Sequence, residues 1–228
     1  MAEARVQRRL AAIFAADVAG YSRLMGIDEE GTLAALKACR RELIDPKIAE
    51  HSGRIVKTTG DGALIEFGSA VDAMRCAMEI QRAMGERNAH VPDDRRIEFR
   101  IGINVGDIIV EEGDIYGDGV NIAARLESIA EPNSIYLSQA AREHLGGKLQ
   151  VALEDVGEKH LKNISRPVRV YRVREAQAAD AGLASSKPAR QRRGAVALGF
   201  TLAAILVVAG GWWLWSEFGQ SKIGRAHV

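Results

Sequence analysis

The chain contains little cysteine, and it lacks the sequence motifs of a zinc or haem protein. Only two cysteines, Cys39 and Cys76, occur among the 228 residues, and their spacing is not that of metal ligands. Both fall in segments with a helical, amphipathic pattern. This placement is typical of small core residues in a protein of a reducing compartment.

The chain also lacks an excess of charge of either sign, and it lacks internal repeats. Its 31 Lys and Arg residues nearly balance its 30 Asp and Glu residues. Without a basic surplus, the composition gives no indication of a nucleic-acid partner. The length leaves room for one domain of ordinary size with short appendages.

One long uncharged run is present near the C-terminus. Residues 194–216 hold no charged side chain and exceed the about 20 residues that cross a hydrocarbon core. Tryptophans gather at the far end of the run, and basic residues precede it. We therefore predict one transmembrane helix in the inner or plasma membrane, with the N-terminal part of the chain in the cytoplasm. The alternative is a buried core helix.

This run separates a large N-terminal domain from a short tail. Residues 1–174 carry alternating strand and helix patterns, and residues 175–193 form an Ala/Ser-rich linker that becomes basic. Residues 217–228 form the tail. Its last part, residues 222–228, matches the translation of a common sequencing adapter, so we expect the natural protein to continue beyond Ser221.

Hydrophobic periodicity predicts the order of elements in residues 1–174. The main predicted elements are a strand over 8–17, a helix over 28–51, a hairpin closed at Asp61-Gly62, a pair of strands over 97–106 and 107–112, and a helix over 118–130. Because hairpins interrupt the alternation, we predict an α+β domain with a mixed, largely antiparallel sheet and flanking helices. A doubly wound parallel sheet is disfavoured.

An acidic residue ends the first apolar strand, in the segment AAIFAADVAGYS. A buried carboxylate is costly unless it is paired, hydrogen-bonded or bound to a metal. Asp17 is therefore either a cap at the exposed end of the strand or a ligand. Gly20 follows at the opening of a helix, where backbone N–H groups can face phosphate oxygens.

A second acid lies in the segment VKTTGDG. Asp-Gly between two strands is a strong hairpin signal, and this signal alone accounts for Asp61. It does not account for Lys57 on the preceding strand. If the hairpin lies beside the first strand, Asp17 and Asp61 share one end of the sheet, and two such carboxylates suit Mg²⁺.

Two further segments carry polar side chains that suit a nucleotide. In GDIYGDGVNIAARLE, Asn121 and Arg125 are four residues apart and share one helix face, and Asp114 precedes them. Arg125 can neutralise charge on a transferring phosphate, and Asn121 can hold a sugar or ring oxygen. The alternative is a solvated polar face. In HLKNISRPVRVYRV, Lys162 is either a phosphate ligand or an isolated surface lysine.

Together and in this order, these segments resemble the class III nucleotidyl cyclase catalytic domain, which includes the adenylate and guanylate cyclases. The resemblance covers about residues 8–174. It implies a ferredoxin-like sheet and head-to-tail homodimers with active sites at the interface. It also implies two Mg²⁺ ions per site, held by Asp17 and Asp61, with Mn²⁺ expected to substitute.

The resemblance further assigns roles to the remaining candidates. It implies that Lys57 and Asp114 read the base, that Asn121 orients the ribose, and that Arg125 stabilises the phosphate in the transition state. Lys162 matches the phosphate-binding lysine of the family. In each site the metal-binding acids come from one protomer, and the residues that read the base and contact the ribose come from the other.

The identity of the base follows from hydrogen-bond complementarity. Adenine offers an N6 donor and an N1 acceptor, which suit the Asp114 carboxylate and the Lys57 ammonium, whereas guanine O6 repels Asp114. We therefore predict an adenylate cyclase that converts ATP to cyclic AMP and pyrophosphate. The alternatives are a guanylate cyclase and a non-catalytic nucleotide-binding or dimerisation module. A diguanylate cyclase is disfavoured, because the chain has no Gly-Gly-acid-acid-Phe segment.

Overall fold

The structure, a computed structural model, describes residues 7–174. In this part of the chain, no helix is long and apolar enough to span a membrane. The predicted linker over 175–193, the predicted transmembrane helix over 194–216 and the tail over 217–228 lie outside the described residues.

Within residues 7–174, eight strands form one sheet. They are β1 (Gln7–Val18), β2 (Arg54–Thr59), β3 (Gly62–Phe67), β4 (Phe99–Glu111), β5 (Asp114–Tyr116), β6 (Ser134–Ser138), β7 (Leu153–Lys159) and β8 (Val168–Val173). The strand order is β2-β3-β1-β4-β6-β8-β7, and β5 pairs with β4.

The first four strands have a ferredoxin-like arrangement. They lie in the order β2-β3-β1-β4 with antiparallel neighbours, and helical segments connect β1 to β2 and β3 to β4. Strand β6 then pairs in parallel with β4, so the sheet as a whole is mixed. The predicted α+β class and mixed sheet are confirmed.

Helices cover both faces of this sheet. They are α1 (Tyr21–Ile27), α2 (Glu29–Cys39), α3 (Asp45–Glu50), α4 (Ala70–Asn88), α5 (Asp118–Ile129) and α6 (Gln139–Leu145). Helices α2, α3, α4 and α6 bury their apolar side chains in the larger core, on one face. Helix α5 packs on the other face, against alternate residues of β1 such as Ala11, Ile13 and Ala15. Both cysteines are buried and unpaired, as expected.

The helix predicted over 28–51 forms over 29–50, but its middle is π-helical rather than α-helical. Asp28 caps α2 by accepting a hydrogen bond from the Gly31 N–H, and a π-helical turn over Arg40–Ile44 separates α2 from α3. Pro46 lies in the first turn of α3 and has no N–H to donate to the turn before it. The irregular turn therefore occurs where the α-helical hydrogen-bond ladder loses a donor.

The strand pair predicted over 97–106 and 107–112 is wrong. Residues Phe99–Glu111 form the single strand β4, because β1 pairs with it continuously from Val18↔Phe99 to Gln7↔Val110. The hairpin partner of β4 is β5, joined through a two-residue turn at Glu112 and Gly113. Both turn residues have positive φ, 50° and 86°, as in a type I′ turn.

The hairpin between β2 and β3 closes one residue earlier than predicted. Its turn residues are Gly60 and Asp61, because Gly62 already pairs with Thr59 as the first residue of β3. Gly60 has a φ of 62°, a backbone conformation that glycine adopts without strain. The turn therefore presents the Asp61 carboxylate at its tip.

Candidate active site

Asp17 is the penultimate residue of β1, which ends at Val18. Its Oδ1 accepts a hydrogen bond from the Val18 N–H at 2.9 Å. Its Oδ2 accepts one from Nη2 of Arg100 at 2.7 Å, since Arg100 is its cross-strand partner on β4. The carboxylate is about one quarter exposed, at 26%. It is therefore both anchored by protein groups and accessible to a ligand.

The β2–β3 hairpin brings Asp61 to Asp17. Pairing of Ala16 with Ala63 places the hairpin tip beside the end of β1, so the predicted juxtaposition of the two acids is confirmed. Partial burial raises the pKa of Asp61 to about 6, and a hydrogen bond and negative charge from Asp17 add to this effect. The acidic pair is therefore a place where added positive charge is favourable.

Two further charged residues, Arg100 and Glu127, lie beside the acidic pair, and the sequence did not single them out. Nη2 of Arg100 lies 3.2 Å from Oε1 of Glu127 on α5 as well as bonding Asp17. Burial raises the pKa of Glu127 to about 7, with a further contribution from the Asp17 charge. Their proximity to Asp17 depends on the β1–β4 register and on the position of α5. Local sequence patterns indicate neither this register nor the position of this helix.

Lys57 and Asp114 form an ion pair between β2 and β5. Nζ of Lys57 donates to Oδ2 of Asp114 at 2.8 Å and to Oδ1 at 3.1 Å. This hydrogen bond holds the pKa of Asp114 below its usual range. Tyr116 lies nearby, with its ring centroid 5.8 Å from the Lys57 ammonium and its side chain exposed. The structure thus joins two candidates that lie 57 residues apart in sequence.

Asn121 and Arg125 lie on α5, as the helical spacing predicts. Asn121 is exposed, and Nε of Arg125 donates to the backbone carbonyl of Lys162 at 3.2 Å. Lys162 itself is exposed in the loop between β7 and β8. Among residues 7–174, no hydrogen bond or ion pair connects these three side chains to the acidic pair or to the Lys57–Asp114 pair.

Gly20 is the N-cap residue of α1 and follows Asp17 by three residues. Its φ of 66° lies in the left-handed region, and its carbonyl accepts the N–H of Leu24 at 3.1 Å. A residue with a side chain is strained at this position. The structure thus places Gly20 in the turn between β1 and α1, at the opening of a helix as predicted.

The acidic pair has the donor chemistry of a Mg²⁺ site. Within residues 7–174, no group of three or more His, Cys, Asp or Glu side chains is arranged to hold a metal ion. Asp17 and Asp61 provide two carboxylates at one partly exposed edge, and Mg²⁺ is commonly held by one or two carboxylates together with substrate phosphates and water. The residues therefore fit a metal shared with a phosphorylated ligand.

Comparison with solved structures identifies close similarity over the described domain. The chain is 51% identical to an adenylate/guanylate cyclase/hydrolase from Silicibacter pomeroyi, with a TM-score of 0.71 over 74% of this chain and 98% of that one. It is 25% identical to the adenylyl cyclase CyaB from P. aeruginosa, with a TM-score of 0.65 over 75% of this chain and 96% of that one.

Curated relatives share the same region. "Putative adenylate cyclase 3" of Rhizobium meliloti is 47% identical over 171 residues, which is 75% of this chain and 29% of that protein. An adenylate cyclase of Streptomyces coelicolor is 37% identical over 143 residues, which is 63% of this chain and 36% of that protein. The chain therefore spans roughly a third of the length of these relatives.

The family model of the adenylate and guanylate cyclase catalytic domain matches residues 6–175. The match includes every strand of the described sheet and all eight candidate residues. The chain therefore belongs to the adenylate and guanylate cyclase catalytic domain family.

Proposed function

We propose that this protein is an adenylate cyclase that converts ATP to 3′,5′-cyclic AMP and pyrophosphate for intracellular signalling. The observation that carries the choice of base is the Lys57–Asp114 ion pair, with donor–acceptor distances of 2.8 and 3.1 Å. The named relatives support the same activity, since two of them are described as adenylate cyclases.

Recognition of adenine requires one acceptor and one donor at the base edge. The Asp114 carboxylate accepts from the N6 amino group, and the Lys57 ammonium donates to N1. Guanine presents an O6 acceptor and an N1 donor, so the same two side chains meet it with the wrong polarity. Unpaired polar groups in a binding site strongly disfavour the wrong ligand. The proposed preference is therefore for ATP.

Asp17 and Asp61 would hold Mg²⁺, two ions per site, with Mn²⁺ as a substitute. When bound, the metal neutralises triphosphate charge and favours ionisation of the ribose 3′-hydroxyl. Arg100 already provides a positive charge at Asp17, at 2.7 Å. This guanidinium donates to Oδ2 of Asp17 and so fixes one oxygen of the carboxylate.

The other candidates act on the ribose and phosphates. The 3′-oxygen forms a bond to the α-phosphorus, and the bond between that phosphorus and the pyrophosphate oxygen breaks. Asn121 orients the ribose, Arg125 neutralises charge on the reacting phosphate, and Lys162 binds the polyphosphate. The Gly20 turn lets backbone approach a phosphate oxygen closely.

We further propose that the active unit is a homodimer with two sites at its interface. Each site takes Asp17 and Asp61 from one protomer. It takes the Lys57–Asp114 pair and the helix α5 residues Asn121 and Arg125 from the other. The absence of a direct bond between these groups in residues 7–174 of one chain is in keeping with this division.

Turnover by the purified chain of 228 residues tests the proposal. With Mg²⁺ or Mn²⁺, we expect cyclic AMP from ATP and little product from GTP, identified by mass spectrometry. Asp17→Ala and Asp61→Ala should each lower kcat at least about a hundredfold, because each removes a charge that is needed at the transition state. Asp155→Ala is the control, since that carboxylate pairs with Arg169 on β7 and β8.

Two outcomes contradict the proposal. Normal turnover by either metal-site variant overturns the assignment of Asp17 and Asp61. Equal use of ATP and GTP by the parent chain, or unchanged ATP preference in a Lys57→Glu/Asp114→Cys variant, overturns the assignment of the base pocket.

We also propose that residues 194–216 anchor the protein in the inner or plasma membrane, with the catalytic domain in the cytoplasm. The support is the uncharged run with basic residues before it and tryptophans at its end. The protein should remain in the membrane fraction after a carbonate wash, whereas a chain that lacks 194–216 should not. Release of the full chain by carbonate contradicts the proposal.

A further inference from the structure

A buried carboxylate on β3 has no part in the proposed reaction. The Glu66 side chain is only 5% exposed, and two arginines contact it, Arg54 from β2 and Arg9 from β1. A buried carboxylate is costly unless positive charge and hydrogen bonds compensate it. Arg54 supplies two hydrogen bonds to Oε2, from Nε at 3.2 Å and from Nη2 at 2.6 Å. Glu66 therefore holds the Arg54 guanidinium in one orientation.

The remaining guanidinium nitrogen of Arg54 points to the β4–β5 hairpin. Its Nη1 donates to the backbone carbonyl of Gly113 at 2.7 Å. Gly113 is the second residue of the two-residue turn and directly precedes Asp114. Strand β2 thus contacts this hairpin twice, through Arg54 at the turn and through Lys57 at the Asp114 carboxylate.

The two contacts differ in rigidity. The Lys57 and Arg54 side chains are similarly exposed, at 44% and 43%, so exposure does not separate them. The Lys57 ammonium stands on a flexible stem and, among residues 7–174, has no second hydrogen-bonding group that fixes it in place, so it holds its partner weakly. Arg54 is a planar fork whose other two nitrogens are bound to a buried carboxylate. The position of the Asp114 turn relative to β2 is therefore set mainly by Arg54.

We propose that Arg54, oriented by Glu66, is a positioning residue that sets the separation of Lys57 and Asp114 and thereby the purine preference of the site. The inference rests on the proposed role of that pair in base recognition. Base contacts are made equally in the ground state and in the transition state. Their loss therefore changes KM and leaves kcat largely unchanged.

An Arg54→Lys substitution separates positioning from charge. Lysine keeps the positive charge beside Glu66, but one ammonium cannot reproduce the three-nitrogen bridge to Glu66 and Gly113. In the chain of 228 residues we expect KM for ATP to rise about tenfold, kcat to stay within about twofold, and the ATP:GTP ratio of kcat/KM to fall about tenfold. Dissociation constants for ATP and GTP, measured by calorimetry, should show the same loss of preference without requiring turnover.

Arg169→Lys is the matched control. Arg169 bonds Asp155 with the same two nitrogens, Nε and Nη2, but lies on the β7–β8 hairpin. Its substitution should leave the nucleotide preference unchanged. Glu66→Gln is a second variant, because it keeps the shape of the side chain and removes the charge that orients Arg54. It should shift the preference in the same direction as Arg54→Lys.

A double-mutant cycle identifies the group through which Arg54 acts. In an Asp114→Ala background, Arg54→Lys should change nucleotide binding less than about twofold. An equal effect in both backgrounds overturns the inference. So does an unchanged ATP:GTP ratio accompanied by weaker dimerisation, which assigns Arg54 to the dimer interface. If the parent chain binds ATP preferentially but forms no cyclic AMP, the proposed function fails while the binding data still test Arg54.

Discussion

The acidic pair at the end of β1 is electrostatically arranged before any ligand binds. Asp17 is fixed by two hydrogen bonds, one from a backbone N–H and one from Arg100. Asp61 has no comparable compensation, and its pKa rises to about 6 because of partial burial and the neighbouring Asp17. A cation beside the pair favours the ionised form of Asp61 and would lower this pKa. The two carboxylates therefore differ in their surroundings: protein groups anchor Asp17, whereas the charge of Asp61 changes near pH 6.

Titration of Asp61 in metal-free protein tests this difference. We expect its carboxyl carbon to titrate near pH 6 in a ¹³C NMR experiment, and its pKa to fall in an Asp17→Asn variant, because that change removes the nearby negative charge. A pKa raised in the folded state contributes stability below the unfolded value of 3.8, and this contribution is lost as the pH rises through about 6. Metal-free protein should therefore lose stability from pH 4 to 7 on account of this group.

The control for this titration is Asp155, whose pKa is held below its usual range by Arg169. Its carboxyl should titrate well below that of Asp61, and Asp17→Asn should not affect it. An unchanged Asp61 pKa in the Asp17→Asn variant would show that burial alone accounts for the shift.

At the scale of elements, the position of α5 depends on one close approach to β4. A Cβ on Gly102 would lie 2.3 Å from the carbonyl oxygen of Ala123 and 2.3 Å from the backbone nitrogen of Glu127. Backbone atoms cannot move aside as a flexible side chain can. The absence of a side chain at Gly102 therefore allows α5 to contact the sheet and fixes where Asn121 and Arg125 lie.

A Gly102→Ala substitution should displace α5. We expect the free energy of unfolding to fall by about 1–3 kcal/mol, as for overpacked cores, and kcat to fall because Arg125 moves. Gly85→Ala is the matched control on α4, where a Cβ would meet no atom within 4 Å. That change should stabilise the protein by up to about 1 kcal/mol. Urea unfolding measures both, and equal stability of the two variants would contradict this account of α5.

The elements that the sequence predicts well are those with local signals. Strand β1 has a continuous apolar run, and the Gly-Asp-Gly signal of the β2–β3 hairpin and the helical spacing of α5 are short-range patterns, although the turn of that hairpin lies one residue earlier than predicted. The length of β4 could not be predicted, because Gly106 interrupts its apolar pattern and only pairing with β1 makes the strand continuous. The π-helical turn before α3 depends likewise on packing rather than on helical periodicity alone.

At the scale of the whole molecule, the sequence predicts those parts of the candidate site whose residues lie in the ordered motifs. The Asp17–Asp61 and Lys57–Asp114 contacts join residues from separate motifs. Placing the predicted hairpin beside the first strand gave the first pairing, and the resemblance to the family supplied the second. The sequence did not predict the positions of Arg100 and Glu127 beside Asp17, or the ion pair between Arg54 and Glu66. Their roles follow from strand register and helix position, and a charged residue in an amphipathic segment is usually only a solvated one.

Complementation between two inactive proteins tests how the molecule assembles its sites. Asp61→Ala damages the acidic half of a site, and Arg125→Ala damages the helix α5 half. In a mixed dimer one site carries both lesions and the other carries neither. With random pairing of equal amounts, half of the dimers are mixed and half of their sites are intact. We therefore expect about a quarter of the parent activity in a cyclic AMP assay.

The decisive control is a mixture of Asp61→Ala with Asp17→Ala. Both lesions lie in the same half, so every site of every dimer keeps one of them, and no activity should return. Heterodimer formation is verified in both mixtures with two affinity tags. Recovery in both mixtures would mean that Asp17 and Asp61 of one site come from different protomers, against the proposed division. Recovery in neither, despite verified heterodimers, would mean that each chain builds its site alone. The separation of the acidic pair from Asn121 and Arg125 would then have to be closed within one protomer.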